Sequence, residues 1–196
     1  MSYNHAYFSQ SFSDEALTVI LHFSADFDVW YQARYVLLKG HDDRGFVWYT
    51  NYNSRKGGEL EVNNNAALTF WWGEMERSIR IEGSVEKVSE EEATAYFHSR
   101  PRSSQIGAWS SNQSREIESR TALEEQEVEI IKKFDDAEVI PKPPHWGGFR
   151  VVPNRMEFWK GRASRLHDRI AFTKTETDAD KTLISETKWS IKRLQP

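Results

Sequence analysis

Four short runs, residues 33–39, 45–51, 66–72 and 78–88, are rich in β-branched and aromatic side chains and are separated by turn-forming clusters. A strand of that length cannot bury an apolar face alone, so the runs must pair, and short links favour antiparallel neighbours. The first link, His41 to Gly45 (HDDRG), reads as a hairpin turn in which Gly45 is free to take a positive φ angle. An antiparallel meander is the predicted frame.

The apolar period then changes. Ser89 and Glu92 make a capping box, and Ala93, Tyr96, Phe97 and Arg100 suit a short helix that Pro101 ends. A second helix is predicted over residues 121–134, with Thr121 and Glu124 as its cap and Leu123, Val128, Ile131 and Phe134 as its apolar stripe. Pro141, Pro143, Pro144 and the pair Gly147, Gly148 read as a rigid connection into strands at 149–152 and 155–159. Residues 170–174 and 189–194 suit a last pair of strands, with a polar loop at 175–187 between them. The expected fold class is mainly antiparallel β with flanking helices (α+β), closed as a barrel or a strongly curved sheet. A chain of 196 residues without repeats is expected to form one domain.

Charge narrows the partners. With 26 basic and 30 acidic residues the net charge is -4, so no global positive field draws nucleic acid or an anionic membrane, and any anion site must be local. The absence of cysteine excludes disulfides, thiolate metal sites and a cysteine nucleophile. No apolar run has the length of a membrane span, and residues 1–10 lack the blocks of a signal peptide, so a soluble, cytoplasmic protein is expected. Aromatic residues make up 13% of the chain, with eight Trp, which suggests rings bordering a planar ligand or a subunit interface.

Four basic clusters stand against this acidic background: Arg34 with Lys39, Arg55 with Lys56, Arg100 with Arg102, and Arg165 with His167 and Arg169. Residues 51–58 read as a turn offering backbone amides, the Ser54 hydroxyl and two cations, which suits a phosphate and equally a solvated surface. Tyr96, Arg100 and Ser104 are spaced by four and present a phenol, a guanidinium and a hydroxyl; a helix-end salt bridge beside a buried Tyr explains them as well. Gln113 and Ser114 lie in a polar stretch that reads as a cofactor contact or as loop. Around Trp159, an extended segment would point Arg165, His167 and Arg169 to one side. The alternative is a charged turn in which Asp168 pairs with a neighbouring Arg.

These segments together resemble the pyridoxamine/pyridoxine 5′-phosphate oxidase family. The likeness runs from about Arg34 to Pro196 and rests on RYVLLKG (34–40), YTNYNSRKG (49–57), YFHSRPRSSQIG (96–107), Gln113 with Ser114, WGG (146–148), MEFWKGRASRLHDR (156–169) and the ending RLQP (193–196). The resemblance implies a split β-barrel homodimer binding FMN at the subunit interface, with 34–196 as the oxidase domain and 1–33 as a divergent or truncated segment in which residues 16–23 suit a first barrel strand. It implies FMN contacts at Arg34, Tyr35, Val36, Leu37, Tyr49, Thr50, Arg55, Lys56, Gln113, Ser114, Trp159 and Arg169, with Arg55 and Lys56 balancing the flavin phosphate. Lys39, Tyr96, Arg100 and Ser104 would hold the substrate phosphate, and Arg165 and His167 would lie over the substrate ring as the catalytic candidates.

The implied reaction oxidises a phosphorylated B6 vitamer, alcohol or amine, to pyridoxal 5′-phosphate, with dioxygen as acceptor and hydrogen peroxide as product. Two departures from the family pattern are visible. Ser78 stands where the family commonly has Gln, and residues 24–32 lack the turn glycine expected after a first strand, which would fit a shortened form with weak activity. Two other functions stay open: a non-catalytic FMN or pyridoxal phosphate binding protein, and a split-barrel flavin reductase using a nicotinamide cofactor.

Overall fold

The protein is described by a computed structural model over residues 17–22, 32–175 and 188–196. Its strands are β1 (Leu17–His22), β2 (Gln32–Leu37), β3 (Gly40–Asp42), β4 (Gly45–Asn51), β5 (Asn65–Trp72), β6 (Arg77–Lys87), β7 (Trp146–Lys160), β8 (Asp168–Thr175) and β9 (Lys188–Arg193). They hydrogen-bond in the order β2-β1-β5-β6-β7-β4-β3, with β8 on β7 and β9 on β8. The pairs β1–β2, β1–β5, β5–β6, β7–β8 and β8–β9 are antiparallel. The helices are α1 (Arg55–Val62), α2 (Glu90–Ser99), α3 (Arg102–Ser110) and α4 (Arg120–Lys133). Among the described residues no helix is long and apolar enough to cross a membrane.

The chain divides into two compact units, with β4, β6 and β7 contributing to both. A sheet unit holds the described residues of Met1–Phe46, Asn65–Ser84 and Val151–Pro196, and a helical unit holds Val47–Asn64 and Val85–Arg150.

In the sheet unit Phe46, Ala66, Ala67, Leu68, Phe70, Ile81, Val151 and Ala171 are buried. Gly83 is required on β6 because a Cβ there would lie 2.0 Å from the carbonyl oxygen of Val152. Glu157, 6% exposed, is a buried acid of this unit. It accepts from Arg169 Nε at 2.7 Å, Arg80 Nη2 at 3.3 Å and Arg155 Nη2 at 3.4 Å. A buried carboxylate is tolerated only with such partners.

In the helical unit Phe97, Ile106, Phe134, Ile140 and Trp146 form one core cluster, and Val47, Val88 and Ala93 form another. Arg150 reaches Glu92 with Nη2 at 2.9 Å, so the third residue of the α2 cap ties the helix to β7. Ser89 Oγ meanwhile accepts the Glu92 amide at 3.1 Å, as the capping pattern requires.

Several expectations need correction. Residues 51–58 are not only a turn: α1 starts at Arg55, and Gly57 serves packing, since its Cβ would meet Tyr52 O at 1.8 Å. The α4 cap is Ser119, whose Oγ accepts from Ala122 N at 3.0 Å, and not Thr121. Its inward side carries Leu123, Gln126, Ile130 and Phe134, whereas Val128 and Ile131 are exposed. Residues 149–152 and 155–159 belong to one strand that already begins at Trp146 and runs through Pro153, so the glycine pair lies inside a strand. Residues 102–110, to which no element was assigned from the sequence, form the helix α3. Of the polar loop expected at 175–187, Thr175 ends β8 and 176–187 lie outside the described residues; of the stretch 24–32, Gln32 starts β2 and 24–31 lie outside them.

The arginine cluster holds the Glu157 carboxyl below its ordinary value of 4.5, first through the Arg169 hydrogen bond. A folded-state value lowered in this way stabilises the fold above the unfolded value, and that contribution is lost as pH falls through the folded one. Glu157→Gln is therefore expected to cost about 2 kcal/mol in denaturant unfolding at pH 7. The gap between variant and parent should shrink below the ordinary glutamate range; a constant gap down to acid pH would show that the charge is not what matters.

Candidate functional site

In the helical unit, Thr50 at the end of β4 and Ser54 at the start of α1 are both buried. Ser54 Oγ accepts from Gly57 N at 3.3 Å, capping α1, and Lys56 in its first turn folds back over the cap. Lys56 Nζ donates to Thr50 Oγ1 at 2.6 Å, to Ser54 Oγ at 3.3 Å and, through a short contact, to Gln113 Oε1. Thr50 Oγ1 also donates to Gln113 Oε1 at 2.9 Å. Two hydroxyls and an amide oxygen are thus gathered around the Lys56 ammonium. Such an arrangement suits a phosphate, which can take hydrogen bonds from the ammonium, the hydroxyls and the first amides of the helix.

The other FMN candidates of this unit fall less tightly together. Arg55 is exposed and its Nε pairs with Glu59 at 2.9 Å, one turn along α1. Ser114 is exposed with φ 69°, a left-handed backbone beside Gln113. Lys56, Thr50 and Gln113 are the members that the structure joins directly.

A second cation lies in the same unit. Tyr49, Tyr96 and Trp146 form a stack of near-parallel rings: the centroids of Tyr49 and Tyr96 are 3.8 Å apart, and those of Tyr49 and Trp146 are 5.4 Å apart. The Arg100 guanidinium lies over Trp146 at 4.7 Å from the ring centroid, and its Nη1 is buried without a hydrogen-bond partner. Burial lowers the Arg100 pKa and raises that of Tyr96, while the Tyr49 phenol is pushed up to about 12, mainly by burial. A buried donor on a cation without an acceptor is costly, about 1–3 kcal/mol or more, and an incoming anion would relieve that cost. Ser104 is half-buried in the first turn of α3, with its amide bonded to Pro101 O at 2.9 Å. Tyr96 and Arg100 are brought together as expected; no direct contact joins Ser104 to them.

In the sheet unit, Arg34 and Val36 sit on the half-buried face of β2, whereas Tyr35 and Leu37 lie on its exposed face, 68% and 53% accessible. Lys39 follows β2 and is exposed. Trp159 packs against Trp71 and His167, with ring centroids 5.8 Å and 4.8 Å away. His167 Nδ1 accepts the Arg162 amide at 3.1 Å, so the neutral ring carries its proton on Nε2. Asp168 accepts from Arg162 Nε and Arg193 Nη1, each at 2.7 Å.

The extended triad at 165–169 does not form. Ala163–Arg165 is a 3-10 turn, Ser164 and Arg165 have φ of 61° and 60°, and β8 begins only at Asp168. Arg169 turns to Glu157 and, through Nη1, to Gln195 O at 3.0 Å. Locally the charged turn is the correct description, and Asp168 closes it. The residue most clearly missed is Trp146: its WGG context was read as a connection, and only the strand pairing of β7 brings the ring under Arg100.

Residues 29–132 match the family described as pyridoxamine 5′-phosphate oxidase, and residues 146–196 match the pyridoxine 5′-phosphate oxidase C-terminal dimerisation region. Pyridoxine/pyridoxamine 5′-phosphate oxidases of Trichormus variabilis and Paraburkholderia phytofirmans are 55% and 54% identical to the chain over 164 residues, 84% of this chain and 72% of each relative. Among solved structures, PhzG from Burkholderia lata, in complex with tetrahydrophenazine-1-carboxylic acid, has a TM-score of 0.79 at 27% identity, covering 94% of this chain and 84% of PhzG. A pyridoxamine 5′-phosphate oxidase-related, FMN binding protein from Nostoc punctiforme shares the fold, with a TM-score of 0.67 at 11% identity over 92% of this chain and 88% of its own. Matches across both segments, and relatives more than half identical, establish that this chain has the split-barrel fold and belongs to the pyridoxine/pyridoxamine 5′-phosphate oxidase family.

Proposed function

We propose that the chain is an FMN-dependent oxidase of pyridoxine 5′-phosphate or pyridoxamine 5′-phosphate that acts as a homodimer and makes pyridoxal 5′-phosphate. The observation that carries this reading is the presence of two separate phosphate-suited cations in the helical unit, Lys56 and Arg100. One phosphate belongs to FMN and the other to the substrate. A flavin reductase using a nicotinamide dinucleotide would also bring phosphates, so the choice between the two readings leans on the relatives named for the oxidase. The relatives named for this activity, 55% and 54% identical, support the same assignment.

The residues present fit the cofactor. Lys56, Thr50, Ser54 and Gln113 would hold the FMN phosphate, while Trp159, Arg169 and the β2 residues Arg34 to Leu37 are assigned to the flavin by motif position alone. When bound, FMN supplies the two-electron acceptor that takes a hydride from the substrate carbon and passes the electrons to dioxygen. For the alcohol, two electrons and two protons leave the CH2–OH group to give the aldehyde while dioxygen becomes hydrogen peroxide. The amine route also consumes water and releases ammonia.

The chain's own residues bind and orient. Arg100 and Tyr96 engage the substrate phosphate, with Lys39 and Ser104 assigned to it by motif position. His167, with its proton on Nε2, offers a donor to the substrate ring or its oxygen, and Arg165 offers a cation beside it.

The deciding assay supplies pyridoxine 5′-phosphate in air to the FMN-loaded chain and follows aldehyde absorbance together with peroxide. Equal amounts of both are expected. Bound flavin without aldehyde would leave a binding protein, and turnover only with a reduced tricyclic carboxylic acid would move the assignment towards PhzG. Lys56→Gln is expected to weaken FMN binding by roughly 10–100-fold in a flavin fluorescence titration, as loss of a charge-assisted contact. His167→Asn should lower kcat by about tenfold or more while changing the FMN Kd little; lost flavin binding instead would reverse this division of roles.

A further inference from the structure

We infer that Trp146 is a positioning residue for the substrate phosphate, acting through Arg100: its indole face holds the guanidinium where the phosphate must bind. The inference rests on the proposed reading that Arg100 receives that phosphate.

Arg100 is the C-cap of α2, held in extended geometry before Pro101, with its amide on Phe97 O at 3.2 Å and its carbonyl accepting from Gln105 Nε2 at 2.9 Å. Those contacts fix its backbone and say nothing about where a long, flexible side chain points. The side chain is directed by rings. Its Cζ lies 4.7 Å from the Trp146 centroid and 5.9 Å from that of Phe97. Indole gives the strongest cation–π attraction of the aromatic side chains, and it is stronger in a partly desolvated setting such as this one.

Trp146 is itself held from several sides. Its amide donates to Pro143 O at 3.1 Å, and its carbonyl accepts from Lys142 Nζ at 2.8 Å. Its ring is nearly parallel to those of Tyr49 and Tyr96, at interplanar angles of 10° and 6°, and Phe97 meets it edge-on at 5.3 Å. A rigid ring under a guanidinium lowers the entropy lost when that group engages a phosphate. The Arg100 Nη1 donor is buried and unpartnered, so the fold itself does not use up the hydrogen-bonding capacity of the guanidinium. No acid of the described chain needs to orient Arg100, so none competes with the substrate for it.

The test uses the FMN-loaded chain with Trp146→Leu, Trp146→Phe, Arg100→Gln and the Trp146→Leu/Arg100→Gln double variant. Each is assayed for KM and kcat with pyridoxine 5′-phosphate and for competitive inhibition by inorganic phosphate. Trp146→Leu should raise KM and the phosphate inhibition constant together, by about tenfold, with kcat changing much less. Trp146→Phe should recover most of that loss, because it keeps an aromatic face. The double variant should be no worse than Arg100→Gln alone, since Trp146 has nothing left to position.

Additive losses in the double variant, or a fall in kcat without a rise in KM, would overturn the inference and make Trp146 a core residue only. Should Trp146→Leu fail to take up FMN, the comparison of Trp146→Phe with the parent, alone and on Arg100→Gln, decides by the same criterion of coupling. An unchanged KM and phosphate inhibition constant in Arg100→Gln would instead remove the underlying reading of the phosphate site.

Discussion

The arrangement of the helical unit depends on how closely two tyrosines can approach the start of β7. A Cβ on Gly147 would stand 2.1 Å from Tyr52 Oη, and one on Gly148 would stand 2.8 Å from the Tyr49 ring. With neither present, Tyr52 donates to Gly148 O at 3.1 Å and Tyr49 lies flat in the stack with Tyr96 and Trp146. The stack in turn carries Arg100. Adjacent residues of a strand face opposite ways, so β4 sends Tyr49 towards the aromatic stack and Thr50 to Lys56. One strand therefore contributes to both cation sites, and its packing against Gly148 helps set where both can be.

The sheet unit solves a different problem, that of holding several arginines near one another. Glu157 is the shared counter-ion for Arg80, Arg155 and Arg169, and Asp168 is the counter-ion for Arg162 and Arg193. These pairs link β6, β7, β8 and β9, and Arg169 further bonds Gln195 O while its own carbonyl accepts from Leu194 N at 2.9 Å. The turn bearing Arg165 and His167 is thereby fixed at both ends, by Arg162 before it and by Asp168 after it. His167 gains its tautomer from the same turn.

Much of this was legible in the chain. The alternating runs became β2, β4, β5 and β6 within a residue or two, and Ser89 and Pro101 bounded α2 as their chemistry dictates. The errors share a cause. Gly147 and Gly148 were read as part of a rigid connection and residues 51–58 as a turn, yet the glycines at 57, 147 and 148 are each needed because a Cβ would collide with Tyr52 or Tyr49. Likewise Val128 and Ile131 fit a helical period, but α4 turns Leu123, Ile130 and Phe134 inward. A local pattern reports how a segment can fold, and not which neighbour it meets.

From sequence alone came the antiparallel β class, the Ser89 cap and the Pro101 stop that bound α2, and the cations that suit phosphate, because strand period, capping and charge are local properties. The resemblance of several ordered motifs added the family. Tertiary structure decided which groups each cation meets. It placed Lys56 among hydroxyls, gave Arg169 to Glu157, set Arg165 in a left-handed turn and laid Arg100 on Trp146. Those outcomes depend on contacts between residues far apart in the chain, where distance and burial, rather than residue type, determine what a charge can do.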